Sequence, residues 1–115
     1  MLTDEKWLSF VVEQVLSNAL KYTPDGGEVW LELEKPATLC IRDNGMGIAA
    51  EDLPRIFQKG YTGYNGRADK KASGLGLYLC RRICQNLGHT ISAQSVAGEG
   101  TSIRINLERE QRWLE

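Results

Sequence analysis

An acid that ends an apolar run and is followed by two glycines is the first place in this chain where chemistry could be done. In "LCIRDNGMGI", residues 39–48, Leu39 and Ile41 alternate with Cys40 and Arg42, so the period of two of a half-buried strand carries Asp43 onto the apolar side. A carboxylate facing inward needs a partner, and an exocyclic amine is one group whose hydrogen bond it can accept. Asn-Gly is also a turn signal, so a strand ending in a loop accounts for the same residues. A second glycine pair, Gly74 and Gly76 in "SGLGLYLCRRICQNLG", opens a helical pattern. Backbone N–H groups and the helix dipole at such a start suit phosphate, and missing side chains permit close approach. Between the pairs, "QKGYTGYNGRADKKAS" (58–73) lacks apolar periodicity and carries Lys59, Arg67, Lys70 and Lys71 with Gly60, Gly63 and Gly66. A segment this long is commonly a functional lid or a disordered segment; its charge would suit phosphates, though a solvated loop would look similar.

The elements that must position these groups follow from periodicity. From Asp4 to Tyr22, Leu8, Val12, Val15, Leu16 and Ala19 recur at helical spacing, with Thr3 or Asp4 available as a cap and "TPDGG" as a stop. On a wheel of about 100° per residue, Gln14, Asn18, Lys21 and Tyr22 gather beside that apolar stripe. Asn18 offers a neutral oxygen of the kind Mg²⁺ takes, Lys21 a charge for phosphate and Tyr22 a ring for a base or sugar. Each is also ordinary as a helix-edge amide, a solvated charge or a core aromatic. "EVWLELE" sets Val29, Leu31 and Leu33 against Trp30, Glu32 and Glu34 and pairs with the strand ending at Asp43. "AAEDLPRIF" (49–57) predicts a short helix or turn, and "SGLGLYLCRRICQNLG" a helix with Leu75, Leu79, Ile83 and Leu87 inward. "TISAQSV", "AGEG" and "TSIRINL" predict a hairpin with Ile103, Ile105 and Leu107 facing one way. The order predicts an α/β (α+β) fold: a two-layer sandwich whose mixed, mainly antiparallel sheet is covered on one face by helices.

At 115 residues and 42% hydrophobic, the chain has the size of a single domain over 1–115. A net charge of −1 with mixed signs offers no basic face for nucleic acid and no cationic helix for a membrane. No run of about 18 apolar residues spans a bilayer, so a soluble piece is expected, and Met1 followed by "LTDEKW" reads as the start of a fragment. The three cysteines, Cys40, Cys80 and Cys84, are an odd set suited to a reducing cytosol. Cys80 and Cys84 with His89 raise a metal site, but thiols among Leu79, Ile83 and Leu87 read as buried structural groups, and His89 as structural too.

An Asn on a helix edge, Asp43 with Gly45 and Gly47, a basic glycine-rich loop and Gly74-Leu-Gly76-Leu at a helix start together suit a nucleotide. In order, "EQVLSNALKYTPDGG", "IRDNGMGI", "RIFQKGYTG", "SGLGLYLCRRI" and "GEGTSIRINL" resemble the N, first glycine, F, second glycine and final glycine boxes of the ATP-binding catalytic domain of bacterial sensor histidine kinases. That domain is a member of the gyrase, heat-shock chaperone, kinase and mismatch-repair superfamily with the Bergerat fold. The resemblance runs from about Trp7 to Leu107. It implies ATP and Mg²⁺ as cofactors, Asn18 as the Mg²⁺ ligand, Asp43 on the adenine amino group, Lys21 near phosphate and Tyr22 against adenine or ribose. It further implies that Gly45, Gly47, Ile48, Gly74 and Gly76 shape the pocket, that Leu75 and Leu77 flank phosphate-binding backbone, and that Thr101 lies behind the base. Phe57 would anchor an ATP lid over about 58–73, where Lys59, Gly60 and Arg67 reach the nucleotide, with Asn18, Lys21 and Arg67 as the catalytic set. The "GYTGYNGR" lid is similar to that of small kinases answering cell-envelope stress and peptide antibiotics such as bacitracin.

The implied activity is transfer of the γ-phosphate to a His on the kinase's own dimerisation domain, for relay to a response regulator. The implied setting is a cytoplasmic domain of a homodimeric cell-membrane sensor, with no nucleic-acid partner. Position 14 departs from the water-activating members of the superfamily, which place Glu there; Gln14 cannot act as general base, and Glu13 lies on another face. The motifs of the sequence include no phosphoacceptor hairpin, so the acceptor His is expected on a separate domain. A superfamily ATPase, a serine kinase acting on an anti-sigma antagonist and a non-catalytic nucleotide-gated interaction module stand as rivals. A dinucleotide oxidoreductase lacks its Gly-x-Gly-x-x-Gly.

Overall fold

The computed structural model describes residues 5–34, 37–59 and 76–108. Its elements run α1 (Glu5–Lys21), β1 (Val29–Glu34), β2 (Thr38–Asp43), a 3₁₀ turn (Leu53–Arg55), α2 (Gly76–Leu87), β3 (Thr90–Val96) and β4 (Gly100–Asn106). The strands form one sheet in the order β1-β2-β4-β3. All three pairings are antiparallel, so the mainly antiparallel expectation resolves into two hairpins joined through β2 and β4.

Alternation decides the sheet's inner face. Ile41 opposes Ile103 and Leu39 opposes Ile105 across the central pair. These residues meet Val11, Val15 and Ala19 of α1 and Cys80 and Cys84 of α2 in one core. The helices therefore lie together on one face of the sheet. The inward stripe of α2 is set one residue away from the expected one: Cys80 and Cys84 are fully buried while Leu79 is 39% exposed. Residues 77, 80, 84 and 87 are as good a helical stripe as 75, 79, 83 and 87, and packing on α1 chooses between them; the Cys80 thiol reaches the Val11 carbonyl at 3.8 Å. Leu31 and Leu33 share the inner face by register with Ile41 and Leu39. They are nonetheless 55% and 81% exposed, because the helices pack on the central and β3 side and leave the outer edge of β1 uncovered.

Burial decides the state of the thiols. It pushes Cys80 up to about 12, with Cys84 beside it adding to the effect, and Cys84 up to about 11. Cys40, buried on the opposite face, is raised for the same reason. All three are free cysteines held as thiols, and a thiol reagent attacks the thiolate. The native protein is therefore expected to leave all three unreacted toward a chromogenic disulfide near pH 8, and to release three equivalents once guanidinium unfolds it. Rapid labelling of the native chain would contradict this packing. His89 is buried, its backbone N–H on the Cys84 carbonyl at 2.8 Å, in line with its structural reading.

Among the described residues, the cluster of possible metal ligands is Glu32, Glu34 and Cys40, on the sheet's other face and apart from Cys80, Cys84 and His89. Its carboxylates are already occupied: Arg104 bonds Glu34 at 2.9 Å and Arg42 bonds Glu32 at 3.2 Å. Arg42 also lies 4.7 Å over the Trp30 ring. Among the described residues, no helix is long and apolar enough to cross a membrane.

Candidate functional site

Asp43 is the last residue of β2 and one of two buried polar or charged residues among those described, 9% exposed. Its inward position follows from the alternation that buries Ile41. The Gly45 N–H bonds Asp43 Oδ1 at 2.8 Å, and the Thr101 backbone N–H also reaches the carboxylate. Burial raises the Asp43 pKa above its ordinary value, and these two N–H bonds oppose that rise in part. The carboxylate thus accepts from the backbone while keeping further lone pairs for a ligand donor.

Three chain segments close around it. Residues 44–48 leave β2 and run against the β3–β4 turn, where the Gly98 N–H bonds the Met46 carbonyl at 2.6 Å. The Ile48 N–H bonds Ser95 Oγ at 2.7 Å. The third segment is the end of α1: the Met46 N–H bonds the Tyr22 carbonyl at 3.3 Å, and a side chain on Gly45 would run into that same carbonyl. Gly47 adopts φ +74° with the Val96 carbonyl where a Cβ would be, so both form and space require glycine there. Asn44 turns away, its Oδ1 taking the Glu28 N–H at 2.7 Å.

The polar edge of α1 connects this corner to the start of α2. Asn18 and Tyr22 are half-buried one turn apart, and Lys21 is exposed in the helix's last turn. One turn back, Gln14 Oε1 lies 3.2 Å from where a Cβ on Gly76 would sit, so the amide abuts the first residue of α2. Gly76 and Leu77 open that helix. Asp43, Gly45, Gly47, Ile48, Thr101 and Tyr22 are thus brought together, with Asn18 between them and the α2 start. Phe57 goes elsewhere, into a groove with Leu53, Pro54, Ile91 and Ala93, where Arg81 lies 5.8 Å over its ring. Lys59 is exposed beyond it. Gly60, Arg67, Gly74, Leu75 and all but the first two residues of the expected lid lie outside the described residues.

Sequence reasoning did not single out Ser95. Its Oγ lies 2.7 Å from the Gly100 carbonyl oxygen and 2.9 Å from Thr101 Oγ1 as well as on the Ile48 N–H. The available signal was a hydroxyl at the third inward position of β3, after Ile91 and Ala93.

Residues 3–111 match the family model described as histidine kinase-, DNA gyrase B-, and HSP90-like ATPase. The chain belongs to this ATPase family. Within it, the sensor histidine kinase YxdK of Bacillus subtilis (strain 168) is 42% identical over 109 residues, covering 90% of this chain and 33% of that protein. The sensor protein kinase GraS of Staphylococcus aureus (strain JH1) is 40% identical over 105 residues, covering 90% and 30%. Among solved structures, a mycobacterial sensor histidine kinase, MprB, superposes with a TM-score of 0.77 at 29% identity, over 91% of this chain and 74% of that one. The chain spans about a third of the length of the curated relatives it matches. The family's fold is thus the two-layer α/β sandwich seen here.

Proposed function

We propose that this chain is the ATP-binding catalytic domain of a sensor histidine kinase, folded as one unit over 1–115, and that it binds Mg²⁺·ATP. The observation that carries this reading is the convergence of a buried carboxylate, a half-buried amide edge and a glycine-led helix start in a chain of this ATPase family. Asp43 accepts from the adenine amino group, with Thr101 beside it. Gly45, Gly47 and Ile48 leave room for the base, and Tyr22 flanks it. The N–H groups opening α2 at Gly76 and Leu77, with Lys21, meet the phosphates. Gly60, Gly74, Leu75 and Arg67 extend this set on sequence grounds, with Lys59 and Phe57 at the lid's edge.

The donor set of the α1 edge fits magnesium: Asn18 presents a neutral amide oxygen, a hard ligand of the kind that shares Mg²⁺ with phosphates and water, while the remaining lone pairs of Asp43, beside its two backbone N–H bonds, are left to the base. Asn18 would hold the ion, which supplies charge neutralisation on the phosphates. The protein's own contribution is positioning, with Arg67 as an added cation in the catalytic set. Gln14, against Gly76, has no basic lone pair with which to activate water, which disfavours hydrolysis relative to transfer. In the longer protein the acceptor is a His on the kinase's own dimerisation domain, whose nitrogen takes the γ-phosphoryl as ADP leaves, for relay to a response regulator. The setting is the cytoplasmic side of a homodimeric membrane sensor of the envelope-stress type, without nucleic-acid partners.

Calorimetric titration with a non-hydrolysable ATP analogue tests the site. Binding that strengthens with Mg²⁺ is expected, and Asn18→Ala should remove that Mg²⁺ dependence. Equal affinity with and without the ion would count against the Asn18 assignment. Labelling of the hairpin His when the dimerisation domain is supplied separates a kinase from a binding module.

A further inference from the structure

Asp43, Thr101 and Ser95 form a single cross-strand row, since Thr101 opposes Asp43 on one side and Ser95 on the other. Ser95 Oγ has three polar neighbours: the Ile48 N–H at 2.7 Å, the Gly100 carbonyl oxygen at 2.7 Å and Thr101 Oγ1 at 2.9 Å. A serine hydroxyl carries one hydrogen and two lone pairs. The Ile48 amide can only donate, so it uses one lone pair. The Gly100 carbonyl can only accept, so it takes the hydrogen. The third bond must then run from the Thr101 O–H into the remaining lone pair. Thr101's proton is committed to Ser95, and its oxygen is left with lone pairs alone.

We propose that Ser95 is a positioning residue that sets the hydrogen-bond polarity of this corner, so that it takes a purine with a 6-amino group and rejects the 6-oxo counterpart. The proposal rests on the ATP reading above. Through Ser95, Thr101 becomes a second acceptor beside the Asp43 carboxylate, and two acceptors side by side favour a donor. An oxygen at the 6-position would face lone pairs with nothing to bond. Were the Ser95 hydroxyl absent, the Thr101 O–H would be free to turn and donate to that oxygen.

The test compares binding of ATP and ITP, whose bases differ at the 6-position in this sense. The native chain should prefer ATP, and Ser95→Ala should shrink the ATP-to-ITP affinity ratio about five- to ten-fold, the scale of one neutral hydrogen bond. Ser95→Thr, which keeps the hydroxyl, should restore the ratio. In a Thr101→Val background Ser95→Ala should leave the ratio unchanged, because Ser95 acts through that hydroxyl. Equal weakening of both nucleotides by Ser95→Ala would overturn the proposal, since loosening of the turn alone does that. If Ser95→Ala does not fold, Thr101→Val alone, which leaves the bonds from Ser95 to Ile48 and Gly100, must shrink the ratio; an unchanged ratio overturns the proposal. A native chain that binds neither nucleotide would sink the ATP reading instead.

Discussion

Asp43→Asn is expected to weaken binding of an ATP analogue by about 10- to 100-fold, the range for losing one hydrogen bond to a charged group, while the nucleotide-free chain unfolds no more easily near pH 7. The two halves of that result have one cause. Burial favours the uncharged carboxyl, and the N–H bonds from Gly45 and Thr101 offset only part of this, so the folded-state pKa lies above the ordinary 3.8. A raised folded pKa means that this group's contribution to stability is fully present below 3.8 and is lost as pH rises through the folded value. Above that folded value the ionised Asp43 is thus a liability in the empty domain, and Asn removes it. A ligand donor offsets that liability only while bound. Calorimetry with the analogue, and urea unfolding of both chains near pH 4 and pH 7, measure the two halves. A stable variant with native affinity would remove Asp43 from the base corner; a variant destabilised by several kcal/mol near pH 7 would show the carboxylate to be structural.

Gly100→Ala is expected to cost about 2–4 kcal/mol of stability, near the upper end for single substitutions, and to abolish nucleotide binding in whatever fraction remains folded. Gly100 combines two demands. Its φ is +129°, and a Cβ there would run into the backbone carbonyl of Asp43. The obstacle is main chain, so it cannot rotate aside, and moving it moves the carboxylate. Gly98, two residues earlier, isolates one of these demands: its φ is +84° but nothing lies within 4 Å of its missing Cβ. Gly98→Ala should therefore cost only about 1 kcal/mol, the strain of the left-handed backbone alone, and leave affinity near native. Urea denaturation of the two variants makes the comparison. Equal losses would mean that conformation, and not the approach of β4 to Asp43, decides the effect.

Legibility in the sequence followed the range of the interaction. Asp43 was placed inward by a period of two that holds over the residues just before it, and the structure buries it beside Ile41. The polar edge of α1 was likewise a property of one helix. The inward stripe of α2 was less legible, because 79 and 80 are equally good helical choices until α1 is in place, and Cys80 wins through its contact with Val11. The alternation of Leu31 and Leu33 with polar residues marks one side of a strand, yet whether that side is covered depends on where the helices stop. Ser95 was invisible for a similar reason: its partner Ile48 is 47 residues away, and only the folded sheet brings them together. The ordered boxes made the family legible across nearly the whole chain, but they do not say which contacts hold the boxes in place.

The strand order has a consequence for how the chain acquires this corner. Each hairpin is local, but β2 and β4 meet only after the ends of the chain come together, as the Glu34–Arg104 ion pair, 70 residues apart, makes plain. Closing so long a loop costs entropy before any contact is gained, so the central pairing is expected to be the slow, late event of folding. Thr101 and Gly100 arrive at Asp43 with that pairing and not before. A partly folded chain, even with both hairpins and α1 formed, therefore has no base corner, and nucleotide acts as a reporter of the last step in assembly.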